Sequence, residues 1–153
     1  MMDPESGRYF EDYTVGVKQE VGSVSISEAD IIEFANKYDP QDFHTDPEKA
    51  ASGPFGGLIA SGWHTISVVM RLLVDRYLDN VSSLGSPGID ELRWMAPVRP
   101  GDVLTVQAEV VNARRSSSKP DRGLIHTNVE VSNQAGVMVM TMKAINLVSC
   151  RET

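Results

Sequence analysis

The chain has 153 residues, of which 41% are hydrophobic and 23% charged, and its formal net charge is −7. This length suits one domain with a core of its own, so the sequence predicts a single domain over residues 1–153. General binding of nucleic acid or of anionic membranes is excluded as a function, because such proteins need a basic surface.

The cysteine content and the apolar runs bear on the cellular compartment. Cys150 is the only cysteine in the sequence, so no internal disulfide can form, as is usual in a reducing cytoplasm. The opening residues MMDPESGRYF lack the basic and apolar segments of a signal peptide. No apolar run approaches the roughly 20 residues of a membrane span. We therefore expect a cytoplasmic protein with neither a membrane nor a nucleic acid as its partner.

The first predicted elements are a strand and a helix. Residues 17–26 alternate loosely between apolar and polar side chains and are predicted as a strand. Residues 28–37 carry an apolar face at helical spacing, and Ser27 with Asp30 resembles a capping box at the start. This helix must end near Tyr38, because Pro40 follows closely and the residue before a proline is disfavoured in the α region.

A loop and a short helix follow. Residues 39–46 are predicted as a loop. The sequence DPEKAA, residues 46–51, favours a short helix with Asp46 as its cap and Pro47 at its first position. Residues 52–57, SGPFGG, form a glycine-rich connection.

The second half of the chain predicts one long helix and then strands. From Gly62 to Leu78 apolar residues occur on nearly every side of a helix, which is typical of a buried one. The apolar pattern then changes to a period of two, which predicts four consecutive strands at 88–98, 103–115, 124–133 and 137–149. We therefore predict an α+β fold in which a curved antiparallel meander wraps around the long central helix.

A pair of titratable residues stands out in the stretch YDPQDFHTD. Asp39 and His44 are five residues apart across a proline-containing turn, a spacing that can bring the two side chains together. Imidazole titrates near neutral pH and suits proton transfer. Two structural alternatives remain open: His44 as a histidine buried for packing, and Asp39 as the former of an Asp-Pro turn.

Three stretches resemble the MaoC-like family of (R)-specific enoyl-CoA hydratases and acyl dehydratases, which has the hot dog fold. YDPQDFHTD is similar to the family's hydratase motif, with Asp39, His44 and Asp46 at its three motif positions. FGGLIASGWHT resembles the segment entering the central helix; Gly62 is kept, and serine replaces the common histidine before it. APVRPGDVL resembles a turn seen across hot dog proteins. The resemblance covers roughly residues 9–148.

This resemblance implies the reversible addition of water to a trans-2-enoyl thioester of coenzyme A or an acyl carrier protein, giving an (R)-3-hydroxyacyl thioester. His44 would take a proton from the attacking water, and Asp39 would bind the same water. The backbone N–H of Gly62, at the start of the buried helix, would stabilise the thioester oxygen. Asp46 is interpreted as a helix cap, not as a catalyst.

The expected partners are an acyl thioester and a second copy of the chain. A curved sheet leaves edge strands that must be covered or paired, and hot dog proteins pair two sheets edge to edge, which predicts a homodimer or a higher oligomer. No cofactor is expected. No metal is expected either, because the three histidines and one cysteine lack the spacing of a metal site.

Two other functions remain open: a hot dog thioesterase, and a non-catalytic module that binds acyl thioesters or mediates dimerisation. The presence of both Asp39 and His44 disfavours each of them. The second stays open because Tyr38, Gln41 and Asp42 differ from the residues usual in the family motif. His64 and His126 are interpreted as structural, although His64 could reach a substrate from the first turn of the helix.

A basic loop offers a candidate contact for coenzyme A. Arg114, Arg115 and Lys119 belong to or border the predicted hairpin loop SSSKPDR and could meet the phosphates of the carrier. A solvated basic loop is the interpretation that the composition favours.

Overall fold

The computed structural model describes residues 7–151; residues 1–6 and 152–153 lie outside the described part, and with them most of the segment examined for a signal peptide. After a 3-10 turn at Phe10–Asp12, the elements in chain order are β1 (Lys18–Ser25), α1 (Glu28–Tyr38), α2 (Asp42–Thr45), α3 (Pro47–Ala51), α4 (Gly62–Arg76), β2 (Gly88–Trp94), β3 (Val103–Arg115), β4 (Arg122–Ser132) and β5 (Met138–Ser149).

The strands form one antiparallel sheet of five strands in the order β1-β3-β4-β5-β2. Its inner face packs against α4, the longest helix, so the predicted α+β class and the hot dog arrangement are confirmed. β4 along its whole length and β3 from Leu104 to Val110 bury every second residue, as their alternating sequences predict. Full burial of one such aliphatic side chain contributes about 1.5–3 kcal/mol to folding.

The position of β2 differs from the predicted meander. β2 pairs with β5, where Trp94 lies opposite Met140, and does not pair with β3, the next strand in the chain. The strand also ends at Trp94, four residues before the predicted end. Pro97 lies among the four residues that are not part of the observed strand, and proline has no backbone N–H to donate a hydrogen bond to a neighbouring strand. β1 and β2 are therefore the two edges of the sheet.

The helix starts follow their predicted caps. The Ser27 hydroxyl accepts a hydrogen bond from the backbone of Asp30, whose side chain reaches back in the capping box expected from sequence. Asp46 caps α3 by accepting two backbone hydrogen bonds of 3.1 Å. The prediction of a loop over residues 39–46 is wrong in part, because Asp42–Thr45 form the single helical turn α2.

The prediction that α4 is buried on all sides is wrong for the single chain. The sheet covers only one side of the helix, where Val69 and Leu73 are buried, whereas Trp63, Met70 and Val74 are 58%, 42% and 43% exposed. Those three lie seven and four residues apart, so they form one stripe along the helix. We call Trp63, Met70 and Val74 the outer stripe of α4. Within residues 7–151, no helix is long and apolar enough to cross a bilayer.

Candidate active site

Three chain segments meet at Asp39. This residue ends α1, His44 lies on the single turn of α2, and Ser61 is the residue just before α4. His44 Nε2 lies 3.2 Å from Asp39 Oδ2, and the Ser61 hydroxyl donates a 2.7 Å hydrogen bond to the same carboxylate oxygen. The structure thus brings together the two residues that the motif singled out, and adds a third.

The orientation of the His44 ring follows from its other nitrogen. His44 is only 5% exposed, and its Nδ1 lies 2.7 Å from the carbonyl oxygen of Ile59. A carbonyl oxygen only accepts hydrogen bonds, so we assign the hydrogen to Nδ1. In the neutral imidazole, Nε2 then has a lone pair on the side of Asp39, where it can receive a proton.

Asp39 is held as a carboxylate by hydrogen bonds. Partial burial by itself raises the pKa of the Asp39 carboxyl, but the hydrogen bonds from Gln41 and Ser61 and the nearby His44 outweigh it, so the pKa lies below its usual value. The Gln41 amide donates to Oδ1 over 2.7 Å. A carboxylate and an imidazole lone pair only accept, so one donor, such as a water molecule, can satisfy both.

Ser61 is the functional residue that the sequence interpretation missed. It is fully buried, donates to Asp39, and accepts a 3.3 Å hydrogen bond from the Trp63 backbone as the cap of α4. A serine directly before a helical pattern is a signal for such a cap. Its bond to Asp39, however, spans 22 residues, and no local pattern indicates that contact.

Gly62 is the first residue of α4, and its backbone N–H makes no hydrogen bond within residues 7–151. An unpaired N–H is expected there, since the first amides of a helix lack partners in the preceding turn. A Cβ on Gly62 would overlap the indole ring of Trp94, whose Nε1 donates to the Gly62 carbonyl over 3.1 Å. The glycine is therefore required by close packing, and the role of its N–H stays a prediction.

His44 and Gly62 both line a cleft of about 300 Å³. Its walls are mainly apolar, and their principal side chains are Phe55, Ile59, Ala60, Trp94, Met95 and Val98. Such a cleft can enclose an apolar acyl group beside the imidazole of His44 and the first residue of α4.

The other histidines lie away from this cleft. His64 lines a different cleft, stacks on Phe34 with ring centroids 4.8 Å apart, and has a pKa lowered by burial, which the nearby Asp30 opposes. His126 lies in the middle of β4. His64 therefore does not line the cleft that contains His44. Residues 7–151 contain no group of three or more histidine, cysteine or acidic side chains that could hold a metal ion.

Comparison with known proteins bears on the identity of this site. Residues 13–136 match the MaoC-like domain family. The chain belongs to this family. The family assignment made from the three sequence stretches is thus confirmed.

Among MaoC-like proteins of known structure, the dehydratase from Rhodospirillum rubrum is 39% identical, with a TM-score of 0.88 over 96% of this chain and 100% of that one. The R-hydratase PhaJ1 from Pseudomonas aeruginosa is 27% identical, with a TM-score of 0.76 over 95% and 88% of the two chains. The 3-hydroxyacyl-thioester dehydratase Z of Mycobacterium tuberculosis (strain H37Rv) is 30% identical over 129 residues, 81% of this chain and 85% of that protein. The MaoC-like family of this chain thus includes both dehydratases and hydratases.

Proposed function

We propose that this protein is a hydro-lyase that reversibly adds water to a trans-2-enoyl thioester and forms an (R)-3-hydroxyacyl thioester. The observation that carries the proposal is the 3.2 Å approach of His44 Nε2 to Asp39 Oδ2 beside an apolar cleft. The (R) configuration rests on the sequence resemblance and on the similarity to an R-hydratase.

The first step is activation of water. A water molecule donates one hydrogen to the Asp39 carboxylate and the other to the lone pair of His44 Nε2, which leaves its oxygen directed at C3 of the substrate. As the C–O bond forms, Nε2 accepts the proton. The resulting imidazolium is stabilised on one side by the Asp39 carboxylate and on the other by the Ile59 carbonyl.

The second step returns the proton. Attack at C3 moves the double-bond electrons toward the thioester, giving an enolate with negative charge on its oxygen. The unpaired N–H of Gly62 donates to that oxygen, at the positive end of α4. The imidazolium then protonates C2, so that one water molecule is added in total and His44 is neutral again. Both new bonds form on the face of the substrate next to Asp39 and His44.

This reaction needs no cofactor, because only protons and a water oxygen move. The substrate is expected to reach the cleft on coenzyme A or an acyl carrier protein. The apolar walls formed by Phe55, Trp94 and Met95 would surround the acyl thioester and exclude bulk water from the enolate.

An assay of two signals tests the proposal against its alternatives. Purified protein is mixed with crotonyl-CoA and with longer trans-2-enoyl-CoAs, and the conjugated absorbance and free thiol are followed together. Loss of absorbance without thiol, with an (R)-3-hydroxyacyl product on chiral chromatography, is the expected result. Thiol release would instead identify a thioesterase, and a folded protein that gives neither signal would identify a non-catalytic module.

We also propose that the protein forms a homodimer. β2 is an edge strand with an unpaired side, and the outer stripe of α4 leaves Trp63, Met70 and Val74 exposed to solvent in the single chain. Pairing of two copies would cover both features, because proteins do not usually leave long edges and apolar stripes uncovered.

A further inference from the structure

Arg99 lies at the rim of the active cleft. It follows Pro97 and Val98, which line the cleft, and its guanidinium Nη2 donates a 2.6 Å hydrogen bond to the carbonyl oxygen of Phe55, another lining residue. The Arg99 backbone N–H is held separately by the Asp102 carboxylate over 2.9 Å. The guanidinium is thus held next to the cleft by Phe55, and the backbone of the same residue is held by Asp102.

The guanidinium of Arg99 forms no ion pair among residues 7–151, whereas Arg71, Arg122 and Arg151 each have an acidic partner. A guanidinium has five N–H donors, and the Phe55 carbonyl accepts only one of them. In a chain of net charge −7, an uncompensated cation beside the cleft favours an anionic ligand there.

The basic hairpin is a poorer candidate than Arg99 as the binding site for that anionic ligand. Arg114 lies near the far end of β3 and Lys119 in the hairpin beyond it, whereas Arg99 lies four residues before the first residue of β3. Thirteen residues of strand at about 3.3 Å each separate the two positions by roughly 40 Å along one chain. An extended pantetheine arm is shorter than this distance, so a thioester in the cleft would not bring its phosphates to the hairpin of the same chain.

We propose that Arg99 binds the phosphate at the end of the pantetheine arm, and that it thereby selects thioesters of a phosphorylated carrier. This inference rests on the proposed function, since it assigns the carrier subsite of the same cleft. A guanidinium can pair with two phosphate oxygens at once, a geometry that a lysine ammonium cannot reproduce. Coenzyme A and the phosphopantetheine of a carrier protein share this phosphate ester.

The test compares three substrates that differ only beyond the pantetheine: crotonyl-CoA, crotonyl-phosphopantetheine and crotonyl-pantetheine. Arg99→Gln should raise KM for the two phosphorylated substrates by about 10–100-fold, the range for loss of a charge-assisted hydrogen bond, and leave kcat nearly unchanged. Crotonyl-pantetheine should be hydrated equally by both proteins. For the phosphorylated substrates, KM of Arg99→Lys should lie between the values of the unaltered protein and of Arg99→Gln. Arg114→Gln is the control and should have the KM of the unaltered protein.

The set of substrates affected by Arg99→Gln shows which phosphate Arg99 binds, or that it binds none. Equal losses with crotonyl-CoA and crotonyl-phosphopantetheine assign the contact to the pantetheine phosphate. Loss with crotonyl-CoA alone would overturn that assignment in favour of a phosphate on the nucleotide. Equal loss with all three substrates would show that Arg99 only supports the Phe55 segment, and no loss would refute the subsite.

A binding measurement separates this proposal from the proposed reaction. Calorimetric titration with coenzyme A itself needs no catalysis, and Arg99→Gln should weaken binding by the same factor as it raises KM. If the unaltered protein binds coenzyme A through Arg99 but hydrates no enoyl thioester, the proposed reaction fails and the subsite stands. If hydration proceeds but Arg99→Gln binds coenzyme A as tightly as the unaltered protein, the subsite is refuted and the proposed reaction stands.

Discussion

The Nδ1–H of His44 donates to the carbonyl oxygen of Ile59 over 2.7 Å, and this bond determines which ring nitrogen faces Asp39. Because Ile59 also lines the cleft, the segment that forms its wall also orients the imidazole. A ring locked in this way presents Nε2, and not Nδ1, to a shared water. The chemistry proposed for the pair therefore depends on a backbone group that no motif includes.

The first prediction concerns the pair itself. His44→Ala should lower kcat for crotonyl-CoA hydration by about 10²–10⁴-fold, the usual contribution of one general acid or base. Asp39→Asn should lower kcat by a similar factor. The double variant Asp39→Asn/His44→Ala should be only slightly less active than either single variant, because the effects of substituting residues that act on one water molecule are not additive. His126→Asn is the control, since this histidine lies on β4 away from the cleft and should keep near-full activity. Near-full hydration by His44→Ala would refute the assignment.

The second prediction concerns the hydrogen bond from Ser61 to Asp39. This bond helps to lower the Asp39 pKa, so Ser61→Gly should raise that pKa and move the acid limb of the pH–rate profile to higher pH. The ionised Asp39 also contributes stability above its unfolded pKa, and this contribution is lost as pH falls through the folded pKa. In Ser61→Gly this contribution should therefore be smaller, and its loss should be complete at a higher pH.

A second substitution at the same position separates this effect from helix capping. Ser61→Ala also removes the hydroxyl, but alanine is a poor cap and costs about 0.5–2 kcal/mol, whereas glycine costs only a few tenths. Urea denaturation should show Ser61→Ala as the less stable variant, while the pH–rate profiles of the two variants should coincide. Profiles that match the unaltered protein would mean that Ser61 acts only as a cap.

The third prediction concerns the contact between Gly62 and Trp94. Gly62→Ala should lower the free energy of unfolding by about 1–3 kcal/mol and impair hydration, because its Cβ overlaps the indole ring. Trp94→Ala should relieve that overlap, so the double variant should be more stable than the sum of the single effects allows. Since alanine keeps the backbone N–H, the double variant should also regain hydration up to the level of Trp94→Ala. A Gly62→Ala protein as stable as the original would contradict the close-packing explanation.

The fourth prediction concerns the outer stripe of α4. Val74→Glu should raise the dimer dissociation constant more than about 30-fold, because a buried unpaired carboxylate costs several kcal/mol at an interface. Val137→Glu is the matched control, since Val137 is 47% exposed against 43% for Val74 but lies at the turn before β5. Analytical ultracentrifugation over a range of protein concentrations measures both. Equal dissociation constants for both variants and the original protein would place the dimer contact elsewhere.

Where the structure departs from the sequence predictions, contacts between distant segments are responsible. β2 pairs with β5 instead of β3, although the sequence of a strand does not by itself specify which neighbour it pairs with. α4 is apolar nearly all round, which predicted complete burial, yet one sheet can cover only one side of a helix in a single chain. The surplus apolar side chains form the stripe that the dimer proposal uses.

The sequence by itself determined the features set by neighbouring residues: the strand alternation, the caps at Ser27 and Asp46, and the motif that identifies the MaoC-like family. These depend on side-chain period and on hydrogen bonds within a few residues, which a linear pattern records. Only the tertiary structure decided that Ser61 meets Asp39 across 22 residues and that Trp94 packs on Gly62 across 32. Such contacts form where the sheet and α4 pack together. The segments that meet there are far apart in the sequence, so the local pattern of one does not indicate the other.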